Sequence, residues 1–479
     1  MGIAEASLSN ISVPLVVDVD GTLLKTDLLV ETFLALLSRK PWRAVIALAE
    51  LRHGKAAFKA RLASEAELDI SLMPVREEVV AFLKGERARG RHIYLASAAD
   101  SRLVLALSDH LGLFDGVLGS DGKVNLAGEA KAEALCAQFG KARFDYIGDS
   151  RADLKVWKDC NVAIVAGRGG IWRSGIAGGQ PGVVEIVGSR AGLRDYISAL
   201  RPHQWLKNML VFVPAIAGHV LMGTWFGSIL AFISFCLCAS AVYILNDLLD
   251  LRADRQHPRK CKRPFASGRV PIIHGALMAP ALLIAAFSLT AFLPRVFVAV
   301  LAGYLVLTTL YSFWLKRKVL VDVVALACLY AARVIGGSVA TGVLISQWLE
   351  AFSIFLFLSL ALVKRTGELV DRVESGRGDP GGRGYRLGDL PVIESMAAAS
   401  GYLSALVMAL YLNSEAVVQL YTKPHRLLLI CVAILFWTSR MLLKAHRGQM
   451  DDDPIVFAAR DRVSLGVGAM CLGLVYVSL

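Results

Sequence analysis

Two regimes of hydrophobic patterning meet near residue 200. Upstream, short apolar runs stop at Gly, Ser or Asp: Val13–Val17, Ile93–Ala96, Phe144–Ile147 and Val162–Val165. Stretches with helical periodicity fill the gaps between them. Such alternation predicts an α/β domain with a parallel sheet. A Gly-rich stretch, Gly167–Gly182, reads as an exit loop, which makes 167–200 a linker.

Downstream, apolar segments are long enough to cross about 30 Å of hydrocarbon. Nine are counted, at 206–222, 226–246, 271–292, 295–314, 319–341, 349–363, 395–413, 425–442 and 463–479. The predicted fold class is therefore two-part, an N-terminal α/β domain followed by an all-α membrane bundle of about nine transmembrane helices over 201–479.

Loops after the even-numbered spans are basic. They carry Arg252, Arg255, Arg259, Lys260, Lys262, Arg263 and Arg269; Lys316, Arg317 and Lys318; Lys364, Arg365, Arg372, Arg377, Arg383 and Arg386; and Arg440, Lys444, Arg447, Arg460 and Arg462. Opposite loops hold only Arg295, Glu350, Glu415 and Lys423. The positive-inside rule then puts the soluble domain and the even-numbered loops in the cytoplasm and the C-terminus outside, in the cell (inner) membrane. Trp205, Trp225, Trp314 and Trp348 read as interfacial anchors.

Composition agrees. Of 479 residues, 55% are hydrophobic and 19% charged, which excludes a disordered chain and an ordinary soluble enzyme. The net charge of +12 resides largely in the loops. That placement favours anionic lipid and phosphorylated substrates as partners over nucleic acid. Eight cysteines show no CxxC pair and no metal-ligand spacing, so they read as inert thiols. Met1–Asn10 lacks a basic region, and no signal peptide is expected.

Candidate chemistry begins where the first strand ends, at Asp18-Val19-Asp20-Gly21-Thr22. Two carboxylates there can converge on one Mg²⁺ while the first attacks phosphorus. Ser97 closes the next strand, and its hydroxyl can hold a phosphoryl oxygen. Lys131 opens a helix and can neutralise a transferring group, with Lys123 as a competitor that sits in a turn. Asp149 and Asp153 follow another strand. The bland alternatives are loop carboxylates, or a domain that binds without catalysis.

This ordered set, over most of 12–166, resembles the haloacid-dehalogenase (HAD) superfamily of phosphohydrolases, giving an HAD-like domain at 1–166. The resemblance implies a Rossmannoid sheet with a helical cap at about 27–90. It implies Asp18 as nucleophile, Asp20 as general acid/base, Ser97 and Lys131 as phosphate ligands, and Mg²⁺ held by Asp18, Asp20, Asp149 and Asp153.

The densest constellation of the membrane half is Asn246-Asp247-Leu248-Leu249-Asp250-Leu251-Arg252-Ala253-Asp254. On a helix, Asn246, Asp250 and Asp254 share a face. Such a stripe at a membrane boundary is costly unless it binds something, and Mg²⁺ carrying a diphosphate satisfies it. Arg255, His257, Lys260, Lys262 and Arg263 follow as phosphate clamps. A topologically set basic loop explains these cations but not the carboxylates.

NDxxDxxxD followed by RPxxSG (Arg263–Gly268) resembles the UbiA-type membrane prenyltransferase superfamily over roughly 200–479. That implies a bundle of nine helices, with Asn246, Asp247, Asp250 and Asp254 holding Mg²⁺-diphosphate. His257–Lys260, Tyr311, Lys316, Asp322, Arg333 and the stretch Lys364-Arg365-Thr366-Gly367-Glu368 look like the decaprenyl-phosphate phosphoribosyltransferase branch. Aromatic prenyltransferases carry a second aspartate-rich motif where this chain has Lys364, Arg365 and Glu368, and a positive site suits a phosphorylated sugar better. The resemblance implies phosphoribosyl transfer from 5-phosphoribosyl-1-diphosphate to polyprenyl (decaprenyl) phosphate. Lys316, Arg333, Lys364 and Arg365 then hold phosphates, and Tyr311 and Asp322 hold sugar hydroxyls. Tyr311 reads equally as an interfacial anchor, and Arg333 as an internally paired arginine. The fused phosphatase would remove the 5-phosphate. Rival readings are prenyl transfer from a prenyl diphosphate to an aromatic or other acceptor, and a non-catalytic lipid-binding scaffold.

Overall fold

In the computed structural model of the chain, the residues described are 11–167, 183–186, 191–376, 378–379, 384–412, 417, 421, 424–450 and 453–478. Two compact units emerge: Met1–Leu200 with Tyr243–Ala279, and Arg201–Val242 with Pro280–Leu479. The acidic segment around Asp250 thus belongs to the same unit as the α/β domain. Of the expected linker, 168–182 and 187–190 lie outside the described residues, as do Arg377, Arg383, Glu415 and Lys423.

The first unit is built on a six-stranded parallel sheet: β1 (Leu15–Val17), β2 (Ile93–Asp100), β3 (Gly116–Ser120), β4 (Asp145–Gly148), β5 (Ala163–Ala166) and β6 (Val183–Ile186). Strand order is β3-β2-β1-β4-β5-β6. β6 falls in the stretch expected to be linker and pairs with β5.

Successive strand side chains point to opposite faces, and both faces are buried. Leu15, Val17, Leu95, Ile147 and Ile164 enter one core, and Val16, Ala96, Tyr146, Ala163 and Val165 the other. β1 lies between β2 and β4, with Val17 opposite both Leu95 and Ile147. Its carboxyl end is therefore the switch point at which open α/β sheets place their sites.

Between β1 and β2, in the interval read as a cap, the chain is largely helical. Helices Leu28–Arg39, Pro41–Leu48 and Lys55–Glu65 enclose a small core of Leu36, Ala44, Ala47, Phe58 and Leu62. Asp27 starts the first helix by accepting from the Val30 N–H at 3.0 Å.

The segment from Tyr243 to Ala279 packs on this domain at several points. Arg255 Nη2 donates to Glu31 Oε1 at 2.5 Å, and both side chains are buried. Gly268 adopts φ +69°, and a Cβ there would lie 2.7 Å from Lys25 Cβ. Only glycine meets both demands.

In the second unit the predicted spans are met in part. Among the described residues of the whole chain, seven helices are long and apolar enough to cross a membrane: Leu221–Leu249, Ile272–Phe292, Arg295–Phe313, Val321–Thr341, Gln347–Glu374, Leu387–Leu412 and His425–His446. The segment expected at 206–222 is instead a 3₁₀ stretch, Pro202–Phe212, followed by the five-residue helix Val213–Ala217, which contains Pro214. Proline removes an N–H donor, and 3₁₀ geometry does not sustain long runs. The last segment forms a shorter apolar helix, Arg462–Ser478.

Helix Val321–Thr341 meets the Pro202–Phe212 stretch at very close range. A Cβ on Gly337 would lie 1.9 Å from the Val211 carbonyl oxygen. Phe235, Phe297, Leu301, Tyr304 and Leu329 form one apolar core, and Val323, Leu362, Leu369, Ile393 and Met441 another. Ile284, Phe292 and Val296 are left exposed, as a lipid-facing surface allows.

Candidate active site

The carboxyl end of β1 carries Asp18 into a buried polar cluster. Lys131, from the first turn of helix Glu129–Phe139, donates to Asp18 Oδ1 at 2.6 Å and to the Tyr146 hydroxyl at 3.0 Å. Tyr146 in turn donates to Asp153 Oδ1 at 2.8 Å, whose other oxygen accepts from the Ser150 hydroxyl at 2.7 Å. Thr22 donates to Asp18 Oδ2 at 3.3 Å and to Asp149 Oδ1 at 3.2 Å.

Asp20 points elsewhere. Its Oδ1 accepts from the Leu28 N–H at 2.8 Å, and its Oδ2 from Ser97 Oγ at 3.4 Å. The two acids of the DxD pair therefore have different surroundings, one facing a lysine and the other tied to the start of the cap. A cavity of about 270 Å³ opens over both, lined by Asp18, Asp20, Asp27, Lys59, Lys131 and Asp153.

Burial sets the electrostatics. It lifts the Asp18 carboxyl to about 6 against the lowering pull of Lys131. Burial and the charges of Asp27 and Asp18 lift Asp20 to about 7. Burial with Asp18 and Asp153 lifts Asp149 to about 7. Burial alone would lower Lys131, but Asp18 and Asp153 outweigh it and hold the ammonium above its ordinary range.

Oxygen atoms of Asp18, Asp149 and Asp153 all lie within 4.8 Å of one another. Three carboxylates crowded together, two buried and one half-buried, fit a hard divalent cation such as Mg²⁺. The Asp20 carboxylate stands outside this trio. Sequence reasoning missed Thr22, Tyr146 and Lys59. Thr22 was legible within the first motif, whereas Lys59 reaches the Ala98 carbonyl at 2.6 Å only through the cap. Lys123 is exposed in a turn, its N–H bonded to Asp121.

The second cluster of the first unit surrounds the end of helix Leu221–Leu249. Asp250 interrupts the helix, yet Asp250 N–H bonds to the Asn246 carbonyl and Asp254 N–H to the Asp250 carbonyl, at 2.9 and 2.8 Å. Helical spacing is thus kept across the break. Asp247 and Asp254 are buried, Asn246 is partly buried and Asp250 is exposed. Arg263 Nη1 donates to Asp247 Oδ1 at 3.1 Å and to Asp254 Oδ2 at 2.7 Å. Two carboxylates on either side of the helix break therefore converge on one guanidinium nitrogen. Oxygen donors of this kind fit Mg²⁺.

Of the predicted clamp residues, Lys260 and Lys262 are exposed, and His257 accepts from the Arg259 and Lys260 N–H groups. Arg255 is not among them in space, because its guanidinium is bonded to Glu31 and the Ala266 carbonyl.

In the second unit, Asp322 and Arg365 are buried with Nη2 2.7 Å from Oδ2, close by distance but not aligned as a hydrogen bond. Tyr385 donates to Asp322 at 2.5 Å, and Glu368 takes Arg365 Nη1. Lys364 lies 3.5 Å from Asp453, a buried carboxylate that also receives Lys207 at 2.7 Å and Tyr330 at 3.1 Å. Lys207 and Asp453 were not predicted, and no local motif announces them. The donors of Arg333 go to Asn208, Tyr304 and the Leu329 carbonyl, so it is internally bonded. Tyr311 is half-buried against the apolar cores, and Lys316 is half-exposed.

Comparison with known proteins decides the lineage. Residues 211–460 match the UbiA prenyltransferase family. The chain belongs to that family. Residues 15–158 match the haloacid dehalogenase-like hydrolases, so this UbiA-family membrane transferase carries a phosphatase-type domain. It is 36% identical to an uncharacterized protein of Sinorhizobium fredii, y4nM, over 95% of this chain and 89% of that one. It is 35% identical to nodulation protein NoeC of Azorhizobium caulinodans, over 59% of this chain and 92% of NoeC. It is also 35% identical to decaprenyl-phosphate phosphoribosyltransferase of Mycolicibacterium smegmatis, over 36% of this chain and 56% of that enzyme. The last of these likenesses supports the phosphoribosyltransferase branch within the UbiA family.

Proposed function

We propose that the membrane domain transfers a phosphoribosyl group from 5-phosphoribosyl-1-diphosphate to a polyprenyl phosphate, and that the phosphatase domain then removes the 5-phosphate. The observation that carries this reading is the convergence of Asp247 and Asp254 on a single cationic atom. Similarity to the decaprenyl-phosphate phosphoribosyltransferases and the basic pair Lys364 and Arg365 support a sugar phosphate over a second diphosphate-metal site.

Asn246, Asp247, Asp250 and Asp254 are the residues that would hold Mg²⁺, which when bound neutralises the departing diphosphate. Arg263, already between two of them, is placed to follow the leaving phosphate oxygens. A phosphate oxygen of the polyprenyl phosphate attacks sugar C1, a new C1–O bond forms, and the C1–O bond to the diphosphate breaks with its electron pair. The acceptor is already anionic, so no base is needed. Lys316, Lys364 and Arg365 are assigned to the acceptor phosphate or the sugar 5-phosphate, and Tyr311 and Asp322 to sugar hydroxyls.

In the phosphatase domain Asp18 attacks phosphorus and forms an aspartyl phosphate as the ester P–O bond breaks. Asp20, raised to about 7, keeps its proton near neutrality and gives it to the leaving oxygen. It then takes a proton from the water that hydrolyses the intermediate. Ser97 and Lys131 hold phosphoryl oxygens, while Asp149 and Asp153 complete the Mg²⁺ site with Asp18. The basic loops support a cytoplasmic phosphatase domain and an exterior C-terminus.

Mass spectrometry of lipids formed from polyprenyl phosphate and the phosphoribosyl donor tests both steps. The wild type should yield the lipid-linked ribose and inorganic phosphate, and Asp18→Asn should stop at the 5-phosphorylated lipid. Consumption of labelled prenyl diphosphate with no turnover of the phosphoribosyl donor would overturn the reading in favour of prenyl transfer.

A further inference from the structure

Helix Pro41–Leu48 of the cap has its side chains inverted for a water-soluble surface. Its small residues face inward: Ala44 and Ala47 are 0% and 1% exposed and pack with Leu36, Phe58 and Leu62. Its large apolar residues face outward: Trp42, Val45 and Ile46 are 67%, 62% and 60% exposed. Their i, i+3, i+4 spacing makes them one stripe, which exposed Leu48 and Leu51 extend. Around it stand Lys40, Arg43, Arg52 and Lys55, the last three exposed. A large apolar patch with a polar rim marks an interaction surface. Tryptophan and aliphatics flanked by lysine and arginine are the composition of a helix lying in a bilayer interface.

The position of the helix supplies the occupant. The preceding helix, Leu28–Arg39, ends beside the last turn of the spanning helix Leu221–Leu249. There Leu34, Ser38 and Arg39 line one cleft with Leu248, Leu249 and Leu251. Helix Pro41–Leu48 begins two residues beyond Arg39, so it starts close to the end of a helix long and apolar enough to cross a membrane. The buried Arg255–Glu31 pair holds the cap in that place.

We infer that helix Pro41–Leu48 lies in the headgroup layer of the bilayer that its own chain spans. Trp42, Val45 and Ile46 enter the acyl boundary, and Lys40, Arg43 and Arg52 meet anionic lipid phosphates. Leu28, Leu29, Lys59 and Leu62 of the same cap line the phosphatase cavity. On the function proposed above, that cavity is thereby held at the surface where a lipid-linked phosphoester resides.

The test uses the full chain in nanodiscs of phosphatidylcholine with phosphatidylglycerol, with or without bromine high on the acyl chains. Bromine quenches nearby tryptophan. Emission attributable to Trp42, taken as wild type minus Trp42→Phe, should fall at least twofold in brominated discs. The same difference measured in a Val45→Asp/Ile46→Asp background should lose that quenching, with an unchanged thermal midpoint reporting intact folding. Equal Trp42 emission in brominated and ordinary lipid overturns the inference. So does quenching in the wild type that the aspartates leave intact, or a shift from dimer to monomer on aspartate substitution, which would identify a second copy as the occupant. None of these readouts depends on phosphatase activity, so failure of the proposed function leaves the test standing.

Discussion

Asp18 and Asp20 are near neighbours in sequence to which we assign opposite duties, and their surroundings separate them. Lys131 lies against Asp18 and favours its ionised form, whereas burial, Asp27 and Asp18 itself lift Asp20 to about 7. Asp18→Asn should therefore abolish phosphate release, by at least a thousandfold, while transfer to lipid continues; separate assays of the two products check it.

The raised carboxylates also fix a pH dependence. Burial lifts Asp20 and Asp149 to about 7 from the ordinary aspartate value of 3.8. Between those limits the metal-free folded state binds more protons than the unfolded state, so its stability falls as pH rises from about 4 to about 7. A divalent cation relieves that repulsion where the groups are ionised. Mg²⁺ should accordingly raise the thermal midpoint more at pH 7.5 than at pH 5.5, and Asp149→Asn should flatten the difference; differential scanning fluorimetry in both buffers measures it.

At the level of elements, two joints are exacting. Glu31 and Arg255 are 3% and 6% exposed at their side chains and form a two-point ion pair. Removing one partner of such a pair costs about 3–5 kcal/mol, because the other charge stays buried alone. Arg255→Met should lower the thermal midpoint more than the double variant Glu31→Leu/Arg255→Met, a comparison that chemical or thermal unfolding can make. Gly337 has no room for a methyl group against the Val211 carbonyl. Gly337→Ala should disrupt packing of the Pro202–Phe212 stretch, seen as loss of monodisperse protein in size-exclusion chromatography.

At the level of the whole molecule, the two centres share a chain. A tether keeps the product of one site at millimolar effective concentration near the other when the linker is short. In wild-type protein the 5-phosphorylated lipid should stay scarce. In an equal mixture of Asp18→Asn chains with Asp250→Ala/Asp254→Ala chains it should accumulate severalfold before it is dephosphorylated. A time course of both lipids by mass spectrometry distinguishes these outcomes, and equal transients would show that tethering contributes nothing.

Much of this was legible in the residues themselves. Motif chemistry such as Asp18, Asp20 and Thr22, or Asn246 to Asp254, is written within a few consecutive residues, because a strand end or a helix face brings neighbours together by geometry alone. Apolar length likewise announced the spanning helices. It did not foresee the form of 206–222, since hydropathy measures composition and is blind to the 3₁₀ geometry of that segment. Other features were decided only by folding. Glu31 and Arg255 lie 224 residues apart and meet because complementary buried charges cannot be left single. Asp453 gathers Lys207, Lys364 and Tyr330 from three separate elements, and Arg333 finds neutral partners inside the bundle. Short-range spacing is encoded locally. Which distant charge neutralises which depends on packing, and that exists only once the chain has closed upon itself.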